Sequence, residues 1–159
     1  MNTASQIDTT VLIVGGGPVG MTMALCLAKR GIASYLVELR SAETLPDVKC
    51  NHISSRSMEL FRSLGVSQDL RAAGLPDDYP HDVSYRTTTL GEEIARIHIP
   101  GRNTRLTDHS GPDGNWPTPE PPHRINQRYI EPILRRHVQK QSLITCLFRH
   151  QVVSFTQDE

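Results

Sequence analysis

The sequence has no excess of charge of either sign, because its 17 lysines and arginines match its 17 aspartates and glutamates. Proteins that bind a phosphate backbone or an anionic membrane carry an excess of positive charge, so neither nucleic acid nor a membrane surface is an expected partner. No stretch approaches the roughly 20 apolar residues that cross a bilayer. The polar start, residues 1–10, does not resemble a secretion signal. The composition therefore predicts a cytoplasmic protein.

Cysteine is scarce, and the three residues present, Cys26, Cys50 and Cys146, are widely spaced. An odd number at this spacing fits neither a disulfide framework nor paired zinc ligands. The seven histidines are scattered without a ligand pair, and no nucleophile elbow is present. We therefore expect no metal site, and the sequence assigns no catalytic residue.

A glycine-rich segment follows the first apolar run of the chain. Residues 9–14 are rich in β-branched side chains and apolar from Val11 onward, which is typical of a parallel strand covered on both faces. We therefore expect a central strand here. The next residues match the G-x-G-x-x-G pattern of dinucleotide-binding loops, and they are Gly15, Gly16, Gly17, Pro18, Val19 and Gly20.

The three glycines of the pattern each have a physical role in this interpretation. Gly15 permits a tight turn, Gly17 lets the backbone approach a diphosphate, and Gly20 lets the following helix pack on the strand. The helix begins near Pro18 and ends at Gly31. Its N-terminus offers a partial positive charge and unpaired N–H groups, so the segment predicts a phosphate-binding loop.

A second apolar run, residues 33–37, leads to Glu38 at an expected strand end. A carboxylate about 20 residues beyond the glycines accepts ribose hydroxyls and repels a 2′-phosphate, so FAD or NAD is favoured over NADP. Arg40 nearby is the one feature that points toward a 2′-phosphate. The alternative interpretation is a plain glycine turn, with Glu38 as a solvated residue at the strand end.

The middle of the chain predicts helices and then a hairpin. Residues 53–64 and the segment from Ser67 to Gly74 predict two helices in series, with Ser67 as a cap. Alternating residues between Asp82 and Ile99 predict a β-hairpin. We expect this hairpin to belong to a sheet separate from the nucleotide fold and to face the substrate.

Prolines are concentrated in residues 111–122, a loop in which Trp116 is an expected packing anchor. After this loop, Asn126 predicts the cap of another amphipathic helix. Because the chain stops soon after a strand, we expect a fragment that retains FAD weakly and does not turn over. The last strands are expected at residues 143–148 and 152–155.

Four segments carry a resemblance to a known family; they are residues 11–20, 37–40, 55–65 and 119–134. Together they span most of the chain and are similar to the N-terminal portion of the class A FAD-dependent aromatic monooxygenases, particularly the phenol and 2,4-dichlorophenol hydroxylases. The last segment is the most specific, because glycine loops occur in many nucleotide enzymes.

The resemblance implies an α/β, Rossmann-like FAD-binding fold of the glutathione-reductase type, with an inserted β-hairpin belonging to a substrate-binding sheet. It implies FAD contacts from Glu38, Leu39 and Arg40, from Lys49 in the link that follows, and from Gln127 near the flavin diphosphate. It also implies NADH or NADPH as electron donor, and O₂ and a small aromatic substrate as partners, with one oxygen atom transferred to the ring. The oligomeric state stays open, a homodimer among the options.

The expected organisation has three segments. Residues 1–79 are the first part of the FAD-binding domain, residues 80–122 the hairpin and proline-rich loop of a substrate-binding region, and residues 123–159 the continued, truncated FAD-binding domain. Two alternatives remain open: another flavin-dependent oxidoreductase on the same fold, and a truncated, non-catalytic dinucleotide-binding module.

Overall fold

The computed structural model describes residues 6–46, 49–111 and 118–157, and Trp116 of the proline-rich loop lies outside them. The chain forms two compact units: unit 1 is Met1–Asp47 with Ile130–Glu159, and unit 2 is Val48–Tyr129. These boundaries differ from the three segments named above, which are defined by function and stay a prediction.

The elements in chain order are β1 (Leu12–Val14), α1 (Pro18–Ala28), β2 (Ser34–Glu38), β3 (His52–Ile53), α2 (Ser55–Ser63), α3 (Ser67–Ala73), β4 (Val83–Arg86), β5 (Glu93–Ile97), β6 (His123–Arg124), α4 (Gln127–Gln139) and β7 (Ile144–Phe148).

Unit 1 is built on a parallel three-stranded sheet in the order β1-β2-β7. The crossover between β1 and β2 is α1, which gives the βαβ unit expected when parallel strands are joined. The unit buries apolar residues from α1, β2, α4 and β7, namely Met21, Ala24, Leu25, Ala28, Leu36, Val37, Ile130, Ile133, Leu134, Val138 and Ile144. The predicted α/β, Rossmann-like architecture is therefore confirmed.

The position of β1 in the sheet corrects one expectation. We expected a central strand covered on both faces, but β1 is an edge strand that pairs only with β2 among the described residues. Leu12 and Val14 keep 36% and 68% of their surface exposed. An apolar run in the sequence indicates only that a strand is partly buried. Whether the strand is central or at an edge depends on which other strands pair with it.

Two short helices follow in unit 2, as predicted. The Ser54 side chain accepts a hydrogen bond from the Ser57 N–H and so caps α2, which Gly65 ends in the left-handed region at φ 73°. The prediction that Ser67 caps the next helix is wrong. Val66 precedes the first helical residue without a side-chain cap, and Ser67 is itself helical and buried.

Two antiparallel strand pairs complete unit 2. The predicted hairpin is confirmed as β4 and β5, whereas the pairing of β3 with β6 was not predicted. All nine residues of β4 and β5 are exposed. Among the described residues, no third strand pairs with either of them. Its membership of a substrate-binding sheet stays a prediction.

The end of the described chain differs from expectation. The strand predicted at residues 143–148 is present as β7, but residues 152–155 form no strand. Arg149 follows β7 with φ 59°, and Val153 and Phe155 are both 77% exposed. A β-branched segment needs a neighbouring strand to pair with, and here none of the described residues supplies one. No helix among these residues is long and apolar enough to span a membrane.

Candidate functional site: a glycine loop at a helix start

The glycine loop joins the end of β1 to the start of α1. The Gly15 N–H donates to Val37 O at 2.8 Å, which ties the loop to the central strand β2. Gly17 caps α1 without a side chain, Pro18 is the first helical residue, and the Met21 N–H closes the first turn on Gly17 O at 3.0 Å. The first N–H groups of a helix have no acceptor within it, so this loop ends in donors suited to an anion.

The structure distinguishes what the glycines do. Gly15 has φ 109°, a conformation that side chains disfavour, so its role is to permit the turn. A Cβ on Gly20 would overlap Gly15 O and approach Ile13 Cγ2 to 3.3 Å, so its role is close packing of helix, loop and strand. A Cβ on Gly17 would meet no protein atom within 4 Å. Space is therefore left open directly at the helix start.

Glu38 lies at the end of β2 and is bonded to the loop. Its Oε2 accepts from the Gly16 N–H at 2.7 Å, and its Oε1 accepts from the Arg40 N–H at 2.8 Å and from Arg40 Nε at 3.1 Å. Partial burial works to raise the pKa of Glu38, but the two N–H groups and the Arg40 guanidinium bring it below its usual value. The carboxylate is therefore ionised at neutral pH and holds the loop against the strand end.

Arg40 lies between two carboxylates. Besides Glu38, its NH2 group is 3.9 Å from Oε2 of Glu131, a residue of α4 that is only 1% exposed. The positive charge of Arg40 is therefore shared with two acids, which weakens the case for a 2′-phosphate at this place. Sequence reasoning missed Glu131. The signal available was a charged residue between Ile130 and Ile133 on the apolar face of a helix.

The two other predicted cofactor residues belong to unit 2. Lys49 is exposed and outside any helix or strand, and Gln127 begins α4. The Gln127 N–H donates to Cys50 O at 2.9 Å, and the Ile125 N–H donates to Asn51 O at 3.2 Å. The segment that contains Lys49 and Cys50 therefore lies beside the start of α4, next to the paired strands β3 and β6. Lys49 and Gln127 must lie in neighbouring segments if both are to contact one ligand.

The arrangement in unit 1 suits a diphosphate joined to a ribose. The N–H groups at the start of α1 face a place where a side chain would meet nothing, and an ionised carboxylate follows on the neighbouring strand. Each carboxylate oxygen has two lone pairs. The Arg40 N–H and Nε occupy both lone pairs of Oε1 and the Gly16 N–H occupies one of Oε2, so Oε2 can accept one ribose hydroxyl besides. Two of the predicted cofactor residues in unit 1, Val19 and Leu39, keep 83% and 65% of their surface exposed. The loop, residues 15–20, carries no basic side chain.

Comparison with known proteins agrees with this geometry. Residues 8–159 match the family model described as an FAD binding domain, and the chain belongs to that family. It is 29% identical to phenol 2-monooxygenase of Pseudomonas sp. (strain EST1001) over 99% of this chain and 25% of the relative. It is 31% identical to 2,4-dichlorophenol 6-monooxygenase of Cupriavidus pinatubonensis over 82% of this chain and 21% of the relative.

A solved structure shows the same similarity to flavin-dependent monooxygenases. The crystal structure of the flavin-dependent monooxygenase PieE, in complex with FAD and substrate, matches with a TM-score of 0.80 and 32% identity, covering 98% of this chain and 26% of PieE. The predicted resemblance to class A FAD-dependent aromatic hydroxylases is thus confirmed. The chain spans about a quarter of the length of the curated relatives that it matches.

Proposed function

We propose that this chain is the FAD-binding part of a flavoprotein monooxygenase that hydroxylates a phenolic or other aromatic substrate with O₂ and with NADH or NADPH as electron donor. The observation that carries the proposal is the open space at Gly17, at the start of α1 and next to the ionised Glu38. When bound, FAD supplies the redox and oxygen chemistry. The chain's own residues bind and orient it.

We assign the roles of the residues as follows. The N–H groups of Gly17, Val19 and Gly20 at the start of α1 hold the diphosphate, Pro18 fixes the first turn, and Glu38 accepts an adenosine ribose hydroxyl. Val19 and Leu39, which are exposed apolar side chains, contact the cofactor from the loop and the strand end. Arg40 keeps Glu38 in place through its N–H and Nε.

Lys49 and Gln127 are assigned to the flavin-diphosphate region of the cofactor. The support is the hydrogen bond from Gln127 to Cys50, which joins the two segments. An ammonium group and an amide in neighbouring segments can together neutralise and bond phosphate oxygens.

The remaining aspects of the proposal follow from the relatives and from composition. Phenol and 2,4-dichlorophenol are the substrates named for two relatives, and a small aromatic molecule is therefore the substrate class proposed here. The balanced charge supports the absence of nucleic-acid and membrane partners and a cytoplasmic location. A homodimer is the oligomeric state that we propose to test first.

A second candidate function is a dinucleotide-binding module for NAD. The specific observation is that the loop and Glu38 address only a diphosphate and a ribose, which FAD and NAD share. Releasing the bound ligand with acid and recording its visible absorbance separates the two. Flavin bands, and titrations in which FAD binds more tightly than NAD, support the proposal. A colourless protein that prefers NAD would refute it.

A further inference from the structure

A buried acid on α4 contacts the arginine that holds Glu38 in place. Glu131 is only 1% exposed, and it lies between Ile130 and Ile133 on the buried face of α4. A carboxyl group in an apolar core costs free energy unless it is paired, and apolar residues of similar volume often serve stability as well as a buried ion pair does. Packing alone therefore does not account for an acid at this position.

The backbone at the end of β2 is fixed by the segment that follows β7. The Arg149 N–H donates to Arg40 O at 3.2 Å, and the His150 N–H donates to Glu38 O at 3.1 Å. These two bonds hold main-chain atoms. The position of the Arg40 guanidinium depends instead on the contacts of its own side chain, which is 40% exposed.

The Arg40 guanidinium contacts one acid on β2 and one on α4. Its Nε donates to Glu38 Oε1 at 3.1 Å, and its NH2 group is 3.9 Å from Glu131 Oε2. The donors of a guanidinium lie in one rigid plane, so contacts with two acids fix the orientation of the whole group. Glu131 is the anchored end of this arrangement, because its side chain is buried in the core.

The same helix holds the segment after β2 a second time. Arg135, one turn beyond Glu131 on α4, donates from its NH1 group to Ala42 O. The Arg135 guanidinium also lies over the Phe148 ring, 5.5 Å from its centroid. α4 therefore acts as a rigid support for residues 40–42, and Glu131 is the part of that support that reaches Arg40.

The charges at the end of β2 also bear on the choice of ligand. Glu38 and Arg40 form one ion pair, and Glu131 adds a second acid to it. A ribose 2′-hydroxyl is neutral and donates to a carboxylate, whereas a 2′-phosphate would be repelled by the excess of acid. The 2′-phosphate would also meet a guanidinium that is already paired.

We propose that Glu131 is a positioning residue that holds Arg40 against Glu38 and thereby excludes a ribose 2′-phosphate from the adenosine end of the site. The inference deepens the proposed function and rests on it, because it takes Glu38 as the acceptor of an adenosine ribose hydroxyl. The residues invoked all lie in unit 1. NADPH carries a 2′-phosphate and FAD does not, so this arrangement would keep NADPH out of the FAD site.

The test is a calorimetric titration of the chain with ADP-ribose and with 2′-phospho-ADP-ribose, which differ only in the 2′-phosphate. Glu131→Gln removes the acid at nearly constant volume. Glu43→Gln is the matched control, because it removes an exposed acid 3.7 Å from the NH2 group of Arg149 and so releases a different arginine.

We expect the wild-type chain to prefer ADP-ribose. Glu131→Gln should reduce this preference at least about tenfold, because the released guanidinium gains a charge-assisted hydrogen bond to the phosphate. Glu43→Gln should change the preference less than about threefold, since the Arg40 pair is intact.

A measurement without ligand separates positioning of Arg40 from a general effect on folding. The Arg40 Nε–H gives its own NMR signal, and its bond to Glu38 slows exchange of the proton with water. We expect Glu131→Gln to speed this exchange at least about fivefold and Glu43→Gln to leave it unchanged. If Glu131→Gln does not fold, Glu131→Asp replaces it, because it withdraws the carboxyl group by one methylene and should shift both readouts in the same direction.

The inference is overturned if ADP-ribose binds but Glu131→Gln leaves the preference unchanged, if Glu43→Gln changes it equally, or if exchange of the Arg40 Nε–H does not respond to Glu131→Gln. A wild-type chain that binds neither ADP-ribose nor FAD refutes the proposed function, and the ligand selectivity with it. In that case the exchange measurement still decides whether Glu131 positions Arg40.

Discussion

Gly17 offers the sharpest perturbation of the proposed cofactor site. Because a Cβ there meets no protein atom within 4 Å and the residue has φ −76° and ψ −175°, alanine fits without strain. We predict that Gly17→Ala changes the free energy of unfolding by less than about 1 kcal/mol. The loss of a favoured cap residue and the reduced entropy of the unfolded chain are each of this size and oppose one another.

The same methyl group stands where the diphosphate would lie. Moving the phosphates away from the helix start weakens charge-assisted hydrogen bonds worth about 1.5–3 kcal/mol each. The dissociation constant for FAD should therefore rise roughly tenfold to a hundredfold. Quenching of flavin fluorescence during titration of FAD with the protein measures this constant.

Gly31→Ala is the matched control at the other end of α1. Gly31 has φ 76°, so a side chain costs about 1–2 kcal/mol there, and the position lies beyond the far end of α1, a helix about 16 Å long. We expect a lower melting temperature with unchanged FAD affinity. Should Gly17→Ala lower stability as much as Gly31→Ala, or leave FAD affinity intact, the reasoning about the loop is refuted.

The other predictions concern Glu38, two histidines and Gly74. Glu38→Ala removes the acceptor of the Gly16 N–H and of the proposed ribose contacts, so the affinity for ADP should fall by about 1–3 kcal/mol in a calorimetric titration; an unchanged affinity contradicts this role. Burial lowers the pKa of His81 and that of His123 to about 4, from 6.5 when unfolded. The unfolded state therefore binds protons first, and stability should fall between about pH 6.5 and 4 by up to roughly 3 kcal/mol per histidine. Urea unfolding across this range tests it, and a variant lacking both histidines that shows the same slope would contradict it. A Cβ on Gly74 would overlap the His123 ring and lie 2.7 Å from Arg124 O, so Gly74→Ala should destabilise unit 2 by about 1–3 kcal/mol in thermal unfolding; wild-type stability would contradict it.

The sequence predicts the elements that depend on local patterns. The glycine loop, α1 and the carboxylate at the end of β2 follow from spacing within about 30 residues, where turn geometry and helix-start electrostatics restrict the residue types. The hairpin of β4 and β5 is also local, because alternation and a short turn define it.

The features that depend on distant partners could not be predicted in the same way. The edge position of β1 and the absence of a strand at residues 152–155 follow from which strands are present to pair, a property that no local window contains. The bond from Gly16 to Glu38 joins residues 22 positions apart, and its geometry depends on the register of β1 against β2.

The contacts of Arg124 in unit 2 show the same limit. Arg124 and His81 are unremarkable in the sequence. Arg124 reaches Asn51 because β3 pairs with β6, and a separate hydrogen bond joins its guanidinium to the His81 carbonyl oxygen. Their separation along the chain gives no periodic signal. Charged and polar residues far apart in sequence therefore need the fold before their joint chemistry can be inferred.

The central claim is that a diphosphate binds at the start of α1 beside Glu38. The most direct test is the amide NMR spectrum of the chain during titration with ADP, which carries the shared diphosphate and ribose without the flavin. We predict the largest shifts at the amides of Gly16, Gly17, Val19 and Gly20, with smaller shifts at Arg40. Saturable binding that leaves these amides unmoved and shifts residues elsewhere would contradict the account.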